Sequence, residues 1–151
     1  MVIEIRTLEA DDLSFLNSVR NECRRFLHDD SKFTLEETRE WFKTVYGNYY
    51  ILEMNKQRIG YFRTNPQANR TIQIGADLHK DFRGKGYAKK AYRKFFGQLK
   101  KKGYDKCTLE VLASNLVAYN LYIKLGFCSV RVIDLLRNGS YVPSIRMEKC
   151  I

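Results

Sequence analysis

Residues 77–90, DLHKDFRGKGYAKK, place Gly84 and Gly86 two positions apart in a strongly basic segment. Glycine loses more conformational freedom on folding than any other residue, so this pair needs a structural reason. The preceding residues alternate between apolar and polar, which is typical of a strand, and the following ones repeat with a helical period. We therefore expect the glycines in the turn between a strand and a long helix.

The helix predicted after this turn runs from Gly86 to Lys102 and ends at Gly103. Its apolar stripe repeats every four positions and consists of Tyr87, Ala91, Phe95 and Leu99. The first turn of a helix has unpaired N–H groups and the positive end of the helix dipole, and glycines let an anion approach them closely. The segment is not a Walker loop, because no Lys-Ser or Lys-Thr follows a second glycine at the required spacing, and it is not GxGxxG, because Lys89 stands in place of the third glycine. The glycine turn is consistent with a binding site for a diphosphate.

The rest of the chain predicts a mixed α/β domain in the order βααβββαβαββ, with about seven strands and four helices. The first helix is expected at residues 13–26, with Asp11 or Asp12 as its N-cap. The second begins with a capping box formed by Thr34 and Glu37. The predicted strands are residues 2–8, 48–54, 58–64, 71–79, 106–113, 127–136 and 140–149, and the last helix is 115–125.

The composition indicates one globular domain over residues 1–151. With 44% hydrophobic residues, a chain of this length can bury a single core, whereas two domains would be too small. The opening residues are acidic where a signal peptide would be basic, and no apolar run approaches the roughly 18 residues of a membrane span. A cytoplasmic protein is expected. The four cysteines lack CxxC spacing, so we expect reduced, mostly buried thiols and no metal site.

The net charge of +10 is concentrated around the glycines. Residues 77–106 contain eleven Lys or Arg against three Asp, a net charge of +8. A positive field of this kind favours an anionic ligand, either a phosphorylated small molecule or a nucleic acid. The sign of the charge does not distinguish these two classes.

Two motifs together resemble those of the GNAT family of N-acetyltransferases. Residues 83–88, RGKGYA, match the acetyl-CoA motif R/Q-x-x-G-x-G/A, and residues 109–127, LEVLASNLVAYNLYIKLGF, match N-x-x-A-x-x-x-Y-x-K-x-G-F. The predicted strand order is also the family's, so the resemblance covers the whole chain. It implies a V-shaped opening between the strands at 71–79 and 106–113, where the pantetheine arm of acetyl-CoA lies like an additional strand.

The resemblance also implies how the coenzyme is bound. Backbone amides of residues 83–88 would hold the diphosphate, which explains Gly84 and Gly86, while an amide near Leu78, at the family's bulge, would polarise the thioester carbonyl. Asn115 is expected both to cap its helix and to bond the coenzyme arm. The expected acetyl-CoA residues are Leu78, His79, Arg83, Gly84, Lys85, Gly86, Tyr87, Ala88, Asn115 and Tyr122.

The chemistry requires a proton donor for the departing thiolate and an acceptor for the proton of the amine. Tyr122 matches the position of the family's general acid, seven residues after Asn115. Glu110 is expected as the general base, acting through water, as in some ribosomal-protein acetyltransferases of this family. Asp77 and His79, on the strand across the opening, remain competitors for that role.

The acceptor is expected to be a primary amine on a small molecule. The first two helices resemble those of acetyltransferases that modify amino-sugar nucleotides, which we rank first, and also those that act on ribosomal-protein N-termini. The alternative from another class is a basic module that binds nucleic acid or the ribosome, but no aromatic platform lies between the lysines of the long helix. Nucleic acid is therefore not expected as a partner. A monomer and a homodimer are both compatible with the sequence.

Overall fold

Seven strands and four α-helices form the described part of the chain, residues 2–45 and 47–151 of this computed structural model. The helices are α1 (Leu13–Cys23), α2 (Leu35–Val45), α3 (Tyr87–Lys101) and α4 (Leu116–Lys124). The strands are β1 (Ile3–Thr7), β2 (Tyr49–Met54), β3 (Gln57–Pro66), β4 (Thr71–Leu78), β5 (Lys106–Leu112), β6 (Cys128–Arg137) and β7 (Ser140–Cys150). The predicted order βααβββαβαββ is confirmed.

All seven strands belong to one sheet in the order β1-β2-β3-β4-β5-β7-β6. Neighbouring strands are antiparallel except β4 and β5, which are parallel and are connected through α3. Strands β2, β3 and β4 therefore form an antiparallel meander, and β1 pairs with β2 at its edge. Gly103, with φ +100°, ends α3 as expected, since this left-handed conformation suits a residue without a Cβ atom.

Two hydrophobic clusters form the core. Helices α3 and α4 pack on one cluster, which includes Phe62, Tyr92 and Leu109, and α1 and α2 pack on the other, which includes Val19 and Tyr61. Tyr61 and Phe62 are neighbours in β3, and their side chains belong to different clusters because successive residues of a strand point to opposite faces. The sheet is thus covered on both faces.

The parallel pairing of β4 and β5 is short. Only Thr71 to Gln73 of β4 pair with Lys106 to Thr108 of β5. Beyond these three positions β4 stays paired with β3 as far as Leu78, and β5 stays paired with β7 as far as Leu112. The facing edges of residues 74–78 and 109–112 therefore leave backbone groups available to an added strand-like ligand. This is the predicted V-shaped opening.

The first helix differs from the expectation at both ends. It ends at Cys23, and Arg24–Phe26 form a 3-10 turn. Asp12 stands at the N-cap position but makes no capping hydrogen bond with its side chain. Its buried carboxylate instead accepts hydrogen bonds from Arg6 (2.7 and 2.8 Å) and Arg58 (2.8 Å). A buried carboxylate without such partners would be strongly destabilising. Asp12 Oδ2 also accepts a hydrogen bond from Glu9 N at 2.8 Å, so the carboxylate closes the preceding 3-10 turn and does not cap α1.

Other local predictions have mixed outcomes. Thr34 Oγ1 accepts a hydrogen bond from Glu37 N at 3.1 Å, as the predicted cap of α2 requires.

The expectation of mostly buried cysteines is wrong for half of them. Cys23 and Cys107 are buried, whereas the other two are exposed because they lie at ends of β6 and β7. None of the helices within residues 2–45 and 47–151 is long and apolar enough to cross a membrane.

Candidate active site

The glycine turn leads from β4 into α3. Gly84 and Gly86 have φ values of +71° and +81°, a region that side-chain-bearing residues rarely adopt. A Cβ atom built at either position meets no other atom within 4 Å, so backbone conformation and not packing requires glycine. The first hydrogen bond of α3 runs from Lys90 N to Gly86 O. The first N–H groups of α3 have no acceptor within the helix, which suits a bound anion.

The side chain of Arg83 is attached to neighbouring elements. Its Nε donates to Leu78 O at 2.9 Å, and its Nη2 lies 3.0 Å from Cys23 Sγ and 4.0 Å from Glu22 Oε2. Arg83 therefore ties the end of β4 to α1, and its guanidinium is turned toward these partners. The side chain of Lys85 is exposed beside the turn.

The end of β4 lacks the expected bulge toward β3. The register between the two strands runs without a shift from Gly60–Leu78 to Pro66–Ile72. His79 follows the strand and caps a 3-10 turn, because its Nδ1 accepts a hydrogen bond from Asp81 N at 3.2 Å. Its ring stacks at 6.4 Å on Phe15 of α1. One nitrogen of His79 is thus occupied by a structural contact.

Helix α4 begins on the opposite side of the opening. Asn115 Oδ1 accepts a hydrogen bond from Ala118 N at 3.3 Å, which confirms the predicted N-cap. Two turns later, Tyr122 is buried, and its hydroxyl accepts a hydrogen bond from the Tyr92 hydroxyl at 3.4 Å. Because Tyr92 is the donor, the proton of Tyr122 is free for another acceptor. The hydroxyl of Tyr119 instead lies 3.1 Å from Ser129 Oγ, on β6.

The environment of Tyr122 keeps its phenol protonated. Burial raises the pKa of Tyr122, because the phenolate loses its hydration, and the hydrogen bond from Tyr92 lowers it by a smaller amount. The net effect is a raised pKa. The two rings meet edge to face, with centroids 5.8 Å apart, which holds the Tyr122 ring in place.

A cavity of about 550 Å³ lies beneath α1 and α2, within the size range of small-molecule sites. It reaches the opening at Ile74 of β4 and Glu110 of β5. Aromatic side chains form much of its wall, namely Phe26, Phe33, Trp41, Tyr49 and Tyr61. Among the described residues, neither Tyr122 nor Asp77 belongs to its lining.

Glu110 faces this cavity and is mostly shielded from solvent. Its side chain is 20% exposed, and its Oε1 lies 3.5 Å from Arg146 Nη1 on β7. Of the three candidate bases, Glu110 lines the cavity, whereas Asp77 and His79 do not. Sequence alone left open whether Glu110 would point to bulk solvent at an edge of the sheet. The pairing of β5 with β7 encloses it.

Asp77 is held by two donors on β3. Its Oδ2 accepts hydrogen bonds from the Tyr61 hydroxyl at 2.5 Å and from Arg63 Nη1 at 3.0 Å. Burial acts to lower the pKa of Arg63, but the Asp77 carboxylate more than compensates, so the pKa is raised and the guanidinium stays charged. The contact with Asp77 fixes one edge of the guanidinium.

Arg63 reaches the cavity because Gly75 lies opposite it. The two residues are cross-strand neighbours, and a Cβ atom at Gly75 would be 2.4 Å from Arg63 Nη2. The guanidinium therefore lies directly over the glycine backbone. Its Nε and Nη2 make no hydrogen bond within the described residues, so these donors are available on the cavity side. The sequence contained no signal for this arrangement.

His28 is a second cavity residue that sequence reasoning did not select. Its Nε2 lies 3.0 Å from Ser144 Oγ on β7. Burial lowers the pKa of His28, and the nearby charge of Glu110 opposes this effect. Because His28 and Ser144 are 116 positions apart, no local pattern could have joined them.

The match to a known family decides the identity of the chain. Residues 13–127 match the model of the acetyltransferase (GNAT) family, a range that includes the glycine turn, the opening and α4. The chain belongs to the GNAT acetyltransferase family. The resemblance drawn from the two motifs is thereby confirmed, and the protein is an N-acetyltransferase. No curated protein matches the chain.

Solved structures share the fold of this GNAT acetyltransferase at low sequence identity. Spermidine N-acetyltransferase from Vibrio cholerae, in complex with CoA and spermine, superposes with a TM-score of 0.88 at 20% identity, covering 98% of this chain and 95% of that one. Ribosomal-protein-alanine N-acetyltransferase from Brucella melitensis superposes with a TM-score of 0.83 at 16% identity, covering 98% of this chain and 99% of that one. A phosphinothricin acetyltransferase from Sinorhizobium meliloti, in complex with acetyl-CoA, superposes with a TM-score of 0.82 at 18% identity, covering 100% of this chain and 89% of that one. They establish the fold.

The lysines of α3 do not form one free face on this GNAT acetyltransferase. Lys94 donates a hydrogen bond to Ile3 O of β1. Lys102 donates to the Tyr50 hydroxyl at 2.7 Å and lies 4.6 Å above the Tyr50 ring. Both ammonium groups thus help to attach α3 to the sheet, which weakens the alternative of a nucleic-acid module.

Proposed function

We propose that the protein transfers the acetyl group of acetyl-CoA to a primary amine of an amino-sugar nucleotide by direct attack. The single observation that carries this proposal is the opening between β4 and β5, which lies between the glycine turn of α3 and the start of α4. Two unpaired strand edges suit an amide-containing arm such as pantetheine. The open, left-handed turn at Gly84 and Gly86 suits its diphosphate.

The residues around the opening fit acetyl-CoA as co-substrate. The backbone N–H groups of residues 84–88 provide donors without competing side chains at the glycines, whereas the N–H of Arg83 already donates to Lys80 O. The amide of Asn115, which already caps α4, would bond the arm with its free N–H₂ group. The neighbours from Vibrio cholerae and Sinorhizobium meliloti are structures in complex with CoA and acetyl-CoA, which supports this assignment.

Tyr122 is the general acid in this mechanism. As the amine nitrogen bonds to the acetyl carbon and the C–S bond breaks, the Tyr122 hydroxyl gives its proton to the departing thiolate. The phenol is protonated at neutral pH, so it holds the proton that this role requires, and the hydrogen bond from Tyr92 opposes the rise in the pKa of Tyr122 that burial causes. Tyr92, which donates to Tyr122, stabilises the phenolate until solvent returns the proton.

Glu110 is the general base in this mechanism, acting through a water molecule in the cavity. An alkylamine is mostly protonated at pH 7, so a proton must leave before the nitrogen can attack. The carboxylate lines the cavity beside the opening, where the amine would enter. Holding amine and thioester together in this enclosed space lowers the entropic part of the barrier.

The cavity favours an acceptor with an aromatic and an anionic part. Phe33 and Trp41 line the cavity, with the Arg20 guanidinium 4.6 Å from the centroid of the Phe33 ring, and stacking of a nucleobase on an aromatic ring contributes about 1–3 kcal/mol. The free donors of Arg63 suit a phosphate or carboxylate group. The neighbour from Vibrio cholerae is named for spermidine, a polycation that has no acceptor group for the free donors of Arg63. An amino-sugar nucleotide combines a nucleobase, a phosphate group and a primary amine.

The experiment compares three amines with acetyl-CoA: a nucleotide-diphosphate amino sugar, a peptide with a free N-terminal alanine, and spermidine. Release of the CoA thiol gives the rate, and mass spectrometry identifies the acetylated product. The amino-sugar nucleotide should give the highest kcat/KM. Preference for the peptide or for spermidine would overturn the proposed acceptor. A separate titration with duplex DNA tests the other class of function, and binding of DNA with no acetyl transfer to any amine would overturn the proposed activity.

A further inference from the structure

The imidazole of His28 is fixed to the sheet although it lies in an irregular segment. His28 follows the 3-10 turn Arg24–Phe26 and lines the cavity from the side of α1. Its Nε2 lies 3.0 Å from the hydroxyl of Ser144. Ser144 is fully buried in β7, directly beside β5, which carries Glu110. The ring is therefore anchored beside the strand that provides the proposed base.

The partners of Ser144 determine which nitrogen of His28 carries the proton. Ser144 Oγ lies 3.0 Å from the carbonyl oxygen of Val111. A carbonyl only accepts, so the single hydroxyl proton of Ser144 is donated to Val111. Ser144 Oγ must then accept its other hydrogen bond from His28 Nε2–H. A neutral imidazole has one N–H group, so the lone pair of Nδ1 is free.

We infer that His28 Nδ1 is the final acceptor of the proton that leaves the acceptor amine, working together with Glu110 in the same cavity. This inference rests on the proposed function. The ammonium group loses a proton to the cavity water beside Glu110, and the proton moves on to Nδ1. An N–H bond breaks at the substrate and one forms at His28, and the imidazolium later returns its proton to solvent.

The order of basicity sets the direction of this transfer. An imidazole is ordinarily a stronger base than a carboxylate, which favours His28 Nδ1 as the final acceptor in this cavity. Nδ1 makes no hydrogen bond to the residues that the structure describes. The imidazolium would keep its Nε2–H bond to Ser144, and the charge of Glu110 would stabilise it.

The charges around His28 keep it ready to accept a proton at neutral pH. Burial is the main effect and lowers its pKa from 6.5. Glu110 on β5 raises the pKa, while Arg63 on β3 and Arg137 on β6 lower it. The net pKa is below 6.5, so most molecules hold a neutral imidazole at pH 7.

The kinetic test replaces His28 by glutamine, which keeps an N–H donor for Ser144 but has no basic nitrogen. With the best amine of the panel, His28→Gln should lower kcat/KM by roughly 10²-fold at pH 7 and remove the acidic limb that lies below pH 6.5, leaving only the rise with free amine at high pH, while acetyl-CoA affinity stays unchanged. Ser144→Ala is the matched control. It removes the anchor but keeps the base, so the limb should remain and the rate should fall less. An unchanged limb in His28→Gln would overturn the inference.

A second measurement does not depend on turnover. Nitrogen-15 NMR of histidine-labelled wild-type protein should find the Nε2–H tautomer at His28 and a pKa below 6.5. An Nδ1–H tautomer, or a pKa above 6.5, would overturn the role of His28 even if amines are acetylated. Failure of every amine to accept an acetyl group would instead refute the proposed function, which separates the two failures.

Discussion

Gly86 and Gly103 flank α3 and allow a matched test of the diphosphate site. Their φ values are +81° and +100°, and a Cβ atom at either position meets no atom within 4 Å. Alanine at either position should therefore cost only the strain of a left-handed residue, about 1–2 kcal/mol of unfolding free energy. Gly103 lies at the end of α3 far along the chain from the turn, so only Gly86→Ala should disturb a bound diphosphate.

The expected loss of affinity follows from the hydrogen bonds at the turn. A hydrogen bond to a charged group contributes about 1.5–3 kcal/mol, so displacing one from the diphosphate should raise the Kd for acetyl-CoA by roughly 10- to 100-fold. Urea denaturation would compare the stabilities of the two variants, and isothermal titration calorimetry would compare their affinities. Equal acetyl-CoA affinity in Gly86→Ala and Gly103→Ala would refute binding at this turn.

Three further changes test other parts of the site and fold. Tyr122→Phe should lower kcat by roughly 10² while acetyl-CoA affinity, measured by calorimetry, stays within a few fold; a fully active variant would reassign Tyr122 to packing. Gly75→Ala should displace Arg63 and raise the KM for the acceptor about tenfold, whereas Gly97→Ala, where a Cβ atom meets nothing within 4 Å, should not. Burial raises the pKa of Asp12, but its arginine partners and a backbone N–H lower it to about 2, so wild-type stability should fall as pH drops from 3.8 toward 2. In urea denaturation at pH 7, Asp12→Asn should have an unfolding free energy about 2 kcal/mol lower than the wild type, and this free energy should lack the pH dependence described. Unchanged stability of the variant would contradict the ion-pair account.

Features set by neighbouring residues were predictable from the sequence. The turn at Gly84 and Gly86, the stripe of α3 and the cap at Asn115 each depend on a few consecutive positions, and all three are present. The V-shaped opening was expected only through the resemblance to the GNAT family. It depends on where β4 and β5 stop pairing, which no local pattern encodes.

Features set by distant contacts were not predictable. Asp12 has the residue type and position of a cap, yet Arg6 and Arg58 bind it because the sheet brings β1 and β3 beside it. The contact of His28 with Ser144 joins positions 116 apart. The same holds for the cavity wall, which is assembled from both N-terminal helices, the segment between them and four strands. Chemistry at such a site becomes visible only after the fold is known.

The central claim is that acetyl-CoA enters the opening between β4 and β5 with its diphosphate at the glycine turn. Titration of acetyl-CoA into nitrogen-15-labelled protein, followed by backbone amide chemical shifts, tests this claim most directly. The largest shifts should fall on residues 83–88 and on the facing edges at 74–78 and 109–112. Shifts confined to the exposed lysines of α3, with these three segments unchanged, would contradict the account.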